Sequence, residues 1–330
     1  MKRVLGRSGI EVAAVGMGCW AIGGRWTFLG GDAGWGDVDD DESIRAIHAA
    51  LEHGANFFDT AANYGAGHSE RILARALAGR RDRAVISTKV GYDVDEAGKE
   101  VRNYGPSELE SDPAPHIRAD LERSLKRLET DYIDAYLLHV GGLAPERALE
   151  VGAVFEQLRQ EGKIRTYGWS TDWADALFRF VEGAPGAGVL EQALNVFTGS
   201  DEIVAFAERQ NLGNIVRAPL GMGVLTGRMT PETTFAEGDV RRKVEWFPGI
   251  KDGRASREWL DRLAAIREVL TSGGRTLAQG SLAWIWARSP NTVPIPGFRT
   301  VAQVEENAKA MEFGPLTPAQ MAEVDRILGR

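Results

Sequence analysis

Eight short apolar runs, each followed by a stretch with helical spacing, recur from about residue 15 to the end of the sequence. They cover residues 15–18, 56–59, 85–88, 133–138, 165–169, 189–194, 214–217 and 292–295. Between them, apolar residues return at helical intervals. Ile44, Ile47 and Leu51 share a helix closed by Gly54; Ile72, Leu73, Ala76 and Leu77 share one that Ser69 caps and Gly79 ends; Ile117, Leu121, Leu125 and Leu128 repeat the pattern. Strand followed by helix predicts a parallel sheet with crossover helices. A doubly wound open sheet is the competitor. Eight units in 330 residues, with no linker or break in composition, favour an α/β fold of the (β/α)8 TIM-barrel type as a single domain over 1–330. The opening VLGRSGIEVAAVGMG reads instead as a β-hairpin turning at Ser8-Gly9, a plug for the bottom of the barrel.

Three connections, 23–41, 91–112 and 223–256, follow strands and exceed the usual length, which inside a compact domain points to function. In this fold they gather at the C-terminal rim of the strands. Their aromatic residues (Trp26, Phe28 and Trp35; Tyr92 and Tyr104; Phe235, Trp246 and Phe247) suit a substrate pocket, and equally suit packing the loops onto the barrel.

The same rim receives four ionisable groups. The segments FFDTAANYG, ISTKVG and YLLHV carry Asp59, Lys89 and His139 at or near strand ends, with Tyr64 just beyond the first. Singly, such residues are more often structural. Together they match what carbonyl reduction requires, a proton for the developing alkoxide. A free phenol has a pKa of about 10, and a nearby ammonium lowers it toward the working range. Lys89 supplies that charge, Asp59 pairs with Lys89 and keeps it ionised, and His139 hydrogen-bonds the carbonyl oxygen.

Composition narrows the class further. Lys plus Arg is 39 against 47 Asp plus Glu, a net charge of −8, which argues against nucleic-acid or anionic-membrane surfaces. Cys19 is the single cysteine, the N-terminus lacks a signal-peptide core, and no run approaches a membrane span. The expectation is a cytoplasmic protein. The histidines (His48, His53, His68, His116 and His139) are not spaced as metal ligands, so no metal is expected.

Several segments in order, LGRSGIEVAAVGMGCW, FFDTAANYGAGHSE, STKVG, YLLHV, RAPLGMGVLTGR and IPGFRTVAQVEENA, make the chain resemble the aldo-keto reductases nearly from end to end. The resemblance implies a TIM barrel without a Rossmann domain, and NAD(P)H-dependent interconversion of carbonyls and alcohols. It places the catalytic tetrad on Asp59, Tyr64, Lys89 and His139, with Tyr64 as proton donor. No G-x-G-x-x-G follows the first strand. By resemblance the nicotinamide carboxamide is held by Ser170, by Thr171 in place of the usual Asn, and by Gln192. Ala218, Pro219, Leu220, Gly221, Leu225 and Gly227 match the loop around the pyrophosphate. Gly297, Phe298, Arg299, Gln303, Glu306 and Asn307 match the adenosine-phosphate site. Arg299 beside a helix N-terminus favours NADPH, with NADH as the second option. Arg217 departs from an aromatic position, where it faces the nicotinamide, a phosphate or an anionic substrate. Trp20 matches a pocket-lining position, and Trp26, Tyr92 and Trp246 join it as candidates for the substrate wall.

Two other readings are weighed. A Lys89 Schiff-base aldolase needs a lysine free of a carboxylate partner, which Asp59 opposes. A non-catalytic cofactor-sensing subunit is known among relatives, but nothing in the sequence suggests the partner. The expected partner is a small carbonyl or alcohol; a monomer is favoured, and assembly is left open.

Overall fold

The eight expected strands form one sheet whose spatial order follows the sequence. In a computed structural model describing residues 1–104 and 112–330, they are β1 (Met17–Gly18), β2 (Phe57–Asp59), β3 (Val85–Val90), β4 (Ile133–Leu138), β5 (Ile164–Ser170), β6 (Ala187–Ala193), β7 (Gly213–Arg217) and β8 (Thr292–Pro294). Every neighbouring pair is parallel. The first and last strands also meet. Gly16 N donates to Pro294 O at 2.9 Å and Gly18 N to Pro296 O at 3.0 Å, joining the two edges. A Cβ on Gly18 would lie 2.6 Å from Ile295 O, so only glycine permits this approach. The result is the (β/α)8 barrel expected from the strand–helix repeat.

The helices follow in turn: α1 (Asp40–Glu52), α2 (His68–Leu77), α3 (Ala114–Leu128), α4 (Pro145–Gln160), α5 (Ala174–Gly183), α6 (Asp201–Arg209), α7 (Arg257–Leu270), α8 (Leu277–Arg288), α9 (Val301–Phe313) and α10 (Pro318–Leu328). Their apolar stripes cover the outside of the sheet, and Ile47, Leu73, Leu121 and Leu125 are buried there. Among the described residues no helix is long and apolar enough to cross a membrane.

Inside the barrel, alternate strand residues Phe57, Val85, Ala135, Leu137, Val189, Ile215 and Val293 form a separate cluster. Leu5, Ile10 and Val12 join it from below. They come from the N-terminal hairpin, in which Lys2–Val4 pairs antiparallel with Glu11–Ala13, so the plug reading holds.

Two local expectations change. The N-cap of α2 is Gly67 (φ 88°), not Ser69. Ser69 lies within the first turn, buried, with its hydroxyl donating to Cys19 O at 2.9 Å and 2.8 Å from Thr60 Oγ1. It therefore clamps the helix to the ends of β1 and β2. The long connections 23–41 and 91–112 also contain strands. Segments Gly31–Asp32, Thr27–Phe28, Glu100–Asn103 and Tyr92–Asp95 make a four-stranded rim sheet, while residues 105–111 of the second connection lie outside the described residues. The Asp95 side chain accepts from Ala97 N and Gly98 N and so shapes the tight turn that lets this sheet form.

Candidate active site

Strand pairing brings the four ionisable residues to one place. Asp59 is opposite Ser87 across β2 and β3, and Lys89 is opposite Leu137 across β3 and β4, two residues before His139. Tyr64 follows β2 through a turn in which its N–H donates to Ala61 O and its carbonyl accepts from Ser69 N. The site thus sits at the C-terminal end of the strands, where barrel loops can reach it.

Lys89 is fully enclosed. Its Nζ donates to Asp59 Oδ1 at 2.5 Å and to Thr60 O at 3.0 Å, and lies 5.2 Å from the centre of the Tyr64 ring. The Tyr64 and His139 rings meet edge to face at 5.8 Å. Trp20 stacks on the other side of Tyr64 at 6.0 Å, and Tyr92 meets His139 at 5.4 Å. Trp20, Asp59, Tyr64, Tyr92, His139 and Ser170 line one cleft of about 1270 Å3, a space beyond the ~300–1,000 Å3 usual for drug-sized ligands.

The sequence reading missed one member. Glu191, on β6, is 1% exposed and its Oε2 is 3.5 Å from Lys89 Nζ. Ser170 Oγ donates to its Oε1 at 3.0 Å. Alternation along β6 explains the placement. Val189 and Glu191 point to the barrel axis, whereas Leu190 and Gln192 point to the helices. Gln192, expected to hold the nicotinamide carboxamide, therefore faces the outer layer. Its Nε2 donates to Asn214 Oδ1 at 3.2 Å in the outer layer, and it does not line the cleft. A charged residue within a buried parallel strand was the signal available for Glu191.

The charges act on one another. Burial, then Glu191, push the Asp59 carboxyl up to about 8 against the pull of Lys89. Burial works against the Lys89 ammonium, but Asp59 and Glu191 outweigh it and hold its pKa above the usual lysine value. Tyr64 differs from expectation. Lys89 does favour its phenolate, yet burial first, with Asp59 and Glu191 added, leaves the phenol above its ordinary value. His139 is pushed well below its ordinary value by burial and by the nearby Lys89 and Arg217, so it is neutral.

Away from this centre the cleft runs past Arg217, Ala218, Pro219 and Leu220 to Gly297, Phe298, Arg299, Gln303, Glu306 and Asn307. Gly221, Leu225 and Gly227 stand behind that wall: Gly221 packs on Trp259, Leu225 is buried, and Gly227 abuts Leu277. Thr171 also lines the cleft, but its hydroxyl donates to Gly141 O at 2.7 Å and accepts from Trp173 N. Arg217 is ion-paired with Asp172, a partner the sequence reading did not foresee. Arg299 donates to the carbonyls of Trp35 and Asp37, and its own N–H donates to Gln303 Oε1 at 2.7 Å. The segment 34–40 is further tied to 236–240 by Gly36 N to Gly238 O and Val240 N to Gly34 O. Trp26, Trp35 and Trp246 line the cleft, Trp26 in one cluster with Trp20, Tyr64 and Tyr92; Tyr104 packs instead against the barrel core, and Phe235 packs with Arg241.

The Aldo/keto reductase family model matches residues 14–328. The aldo-keto reductase YhdN of Bacillus subtilis is 32% identical over 305 residues, 90% of this chain and 85% of the relative. The NADH-specific methylglyoxal reductase of Escherichia coli is 30% identical over 324 residues, 95% and 94% of the two chains. Among solved structures, an aldo-keto reductase from Klebsiella pneumoniae in complex with NADPH superposes with a TM-score of 0.69 at 26% identity, covering 99% of this chain and 95% of that one. A family match over almost the whole length, on a barrel whose rim gathers Asp59, Tyr64, Lys89 and His139, leads to one conclusion: this chain belongs to the aldo/keto reductase family of oxidoreductases.

Proposed function

We propose that this protein reduces the carbonyl of small aldehydes or ketones with NADPH, and runs the reverse alcohol oxidation at the same site, with Tyr64 as general acid and base. The observation that carries the reading is the enclosed Lys89–Asp59 pair at 2.5 Å beneath Tyr64, with His139 across from it, at the inner end of a dinucleotide-sized cleft.

The donor set of the cleft fits a dinucleotide. Ser170, its proton donated to Glu191, offers a hydroxyl oxygen to the cleft, and Ala218, Pro219 and Leu220 line its further course. Arg299, with Gln303 and Asn307, stands at the far end where α9 begins, favouring an anion such as a 2′-phosphate. The relative solved with NADPH supports this assignment; the NADH-specific relative keeps NADH as the second candidate. When bound, the cofactor supplies the hydride that the carbonyl carbon receives.

The chain's own residues do the rest. The Tyr64 hydroxyl gives its proton to the carbonyl oxygen as charge develops there. Neutral His139 carries one ring N–H toward the cleft and orients that oxygen. Lys89, held ionised by Asp59 and Glu191 together, stabilises the phenolate left behind and favours the phenol's return to base in the oxidation. Trp20, Trp26 and Tyr92 surround the reacting group, and Trp246 (63% exposed) flanks the outer mouth. The lone pair that a Schiff base would need is committed, since Lys89 is a protonated donor to Asp59 and Thr60; the aldolase reading loses its support.

NADPH consumption measured over a panel of aldehydes, ketones and sugars tests the proposal, with Tyr64→Phe as control. General acid–base catalysis contributes about 10²–10⁴-fold, and a loss of that order is expected. Full activity in the Phe variant would remove Tyr64 from its role.

A further inference from the structure

Lys89 is surrounded by more negative charge than it can neutralise. Its Nζ lies 2.5 Å from Asp59 Oδ1 and 3.5 Å from Glu191 Oε2, and none of the three side chains is more than 2% exposed. Two ionised carboxylates against one ammonium would leave a surplus charge closed off from water. Buried groups avoid that state by keeping a proton, which here rests on Asp59.

Among the described residues no cation other than Lys89 acts on Asp59 or Tyr64 to balance the surplus. The remaining groups facing the cluster are the Tyr64 phenol, the Cys19 thiol, His139 and Arg217. Burial and Asp59 push the Cys19 thiol up, His139 is neutral, and Arg217 is paired with Asp172 on the cleft side. Asp59 Oδ2 has no hydrogen-bond partner and so has room for the proton. Ser170 fixes the other oxygen of Glu191 at 3.0 Å, which keeps the carboxyl aimed at Lys89.

We propose that Glu191 is a positioning residue acting on Tyr64 through Lys89: its side chain, crowded against Lys89, keeps a proton on Asp59 at neutral pH, and loss of that proton makes the phenol harder to ionise. The inference rests on the reading of Tyr64 as the acid. Its consequence is directional. Once the Asp59 proton leaves, the cluster gains a net negative charge beside Tyr64, so the phenol survives to higher pH. Reduction, which needs the phenol, is sustained, and oxidation, which needs the phenolate, is held back.

Two measurements test this. In infrared spectra the wild type is expected to show, at pH 7, the carbonyl stretch of a protonated buried carboxyl that fades as pH passes about 8. Glu191→Gln keeps the shape and the Ser170 contact but removes one charge, and it loses this band. Asp59→Asn loses it too, because a lone carboxylate beside Lys89 stays ionised. In kinetics, 4-nitrobenzyl alcohol with NADP+ and 4-nitrobenzaldehyde with NADPH report kcat/KM against pH. Glu191→Gln is expected to leave the ratio of oxidation to reduction near the wild-type value at neutral pH and, above about pH 8 where the wild type has lost the proton, to raise it about tenfold by moving the Tyr64 ionisation down by a unit or more. A wild type without the band, a Gln variant that retains it, or unchanged pH profiles would each overturn the proposal. Tyr64→Phe separates the two claims. It is expected to keep the band and lose turnover; if turnover survives, the reading of Tyr64 fails while the Asp59 proton stands.

Discussion

Gly65 folds back onto Gly23 with no space between them: a Cβ at position 65 would lie 2.0 Å from the Gly23 carbonyl oxygen, and Gly65 has φ 64°. This contact sets the turn that carries Tyr64 and locks it to the first rim loop. Gly65→Ala therefore meets both a clash and a backbone state that L-residues avoid. The phenol would shift by a fraction of an ångström or more. Misplacement near 1 Å can cost about 10²-fold in rate, so kcat is expected to fall by that order. Far-ultraviolet circular dichroism should stay that of the folded barrel; normal turnover in a folded Gly65→Ala protein would show that the turn does not position the acid.

The Asp59 carboxyl makes stability depend on pH. In the folded protein its pKa is pushed up to about 8 by burial and by Glu191, whereas in the unfolded chain an Asp titrates near 3.9. The folded state thus holds a proton that the unfolded state has released. Stability from this group is complete below about pH 4, declines as pH rises through the interval, and is lost above about pH 8. Glu191→Gln relieves the crowding, so its Tm between pH 5 and 9 should be flatter than that of the wild type. An equally steep decline in both proteins would count against the shared-charge account.

How much of this was legible in the sequence depends on the interaction in question. The strand–helix repeat located all eight barrel strands, because a parallel barrel buries both faces of each strand and leaves an apolar run. Asp59, Lys89 and His139 were legible as polar ends of such runs. Glu191 and Gln192 were not separable, since two polar residues side by side leave open which one faces the axis. The bulge that decides it, where Tyr167 pairs with Ala187 but Gly168 with Val189, depends on backbone contact that no spacing rule records. Ser69 misled for a similar reason: it has the chemistry of a cap, and tertiary partners at Cys19 and Thr60 claimed it instead. The direction of the Tyr64 shift also needed depth of burial, which one neighbouring ammonium does not determine.

His139 yields a prediction of opposite sign to Asp59. Burial, with Lys89 and Arg217, keeps it neutral in the folded protein, while an unfolded histidine takes up a proton near pH 6.5. Its contribution is therefore lost as pH falls below about 6.5 and is constant above that value. His139→Asn should remove this acid-side slope in Tm. The same change deletes a donor to the carbonyl oxygen, for which a loss of about 10²–10³-fold in kcat is expected. A variant with wild-type kcat would place the orienting donor elsewhere.

Arg299 reports on cofactor choice. Its guanidinium is held by the carbonyls of Trp35 and Asp37 at the mouth of the far cleft, beside the start of α9. A charge-assisted contact to a 2′-phosphate is worth about 1.5–3 kcal/mol. Arg299→Ala should weaken NADPH by about 10–100-fold and NADH by far less. Equal losses for both cofactors would mean that the residue serves the 35–37 segment rather than a phosphate.

Arg217 and Asp172 make the last case. Arg217 ends β7 within the cleft, about a third exposed, and its ion pair with Asp172 masks its charge toward whatever binds there. Where the guanidinium stacks on a nicotinamide ring, an unmasked positive charge disfavours the cationic oxidised form relative to the neutral reduced form. Asp172→Asn unmasks it, and the NADP+ to NADPH dissociation-constant ratio should rise by a few-fold at low salt. Arg217→Tyr removes the charge and should lower that ratio below the wild-type value. Screening at high ionic strength should shrink the first effect, because the pair is partly open to solvent. If neither substitution moves the ratio, Arg217 does not face the ring, and its charge is directed to an anionic substrate or a phosphate.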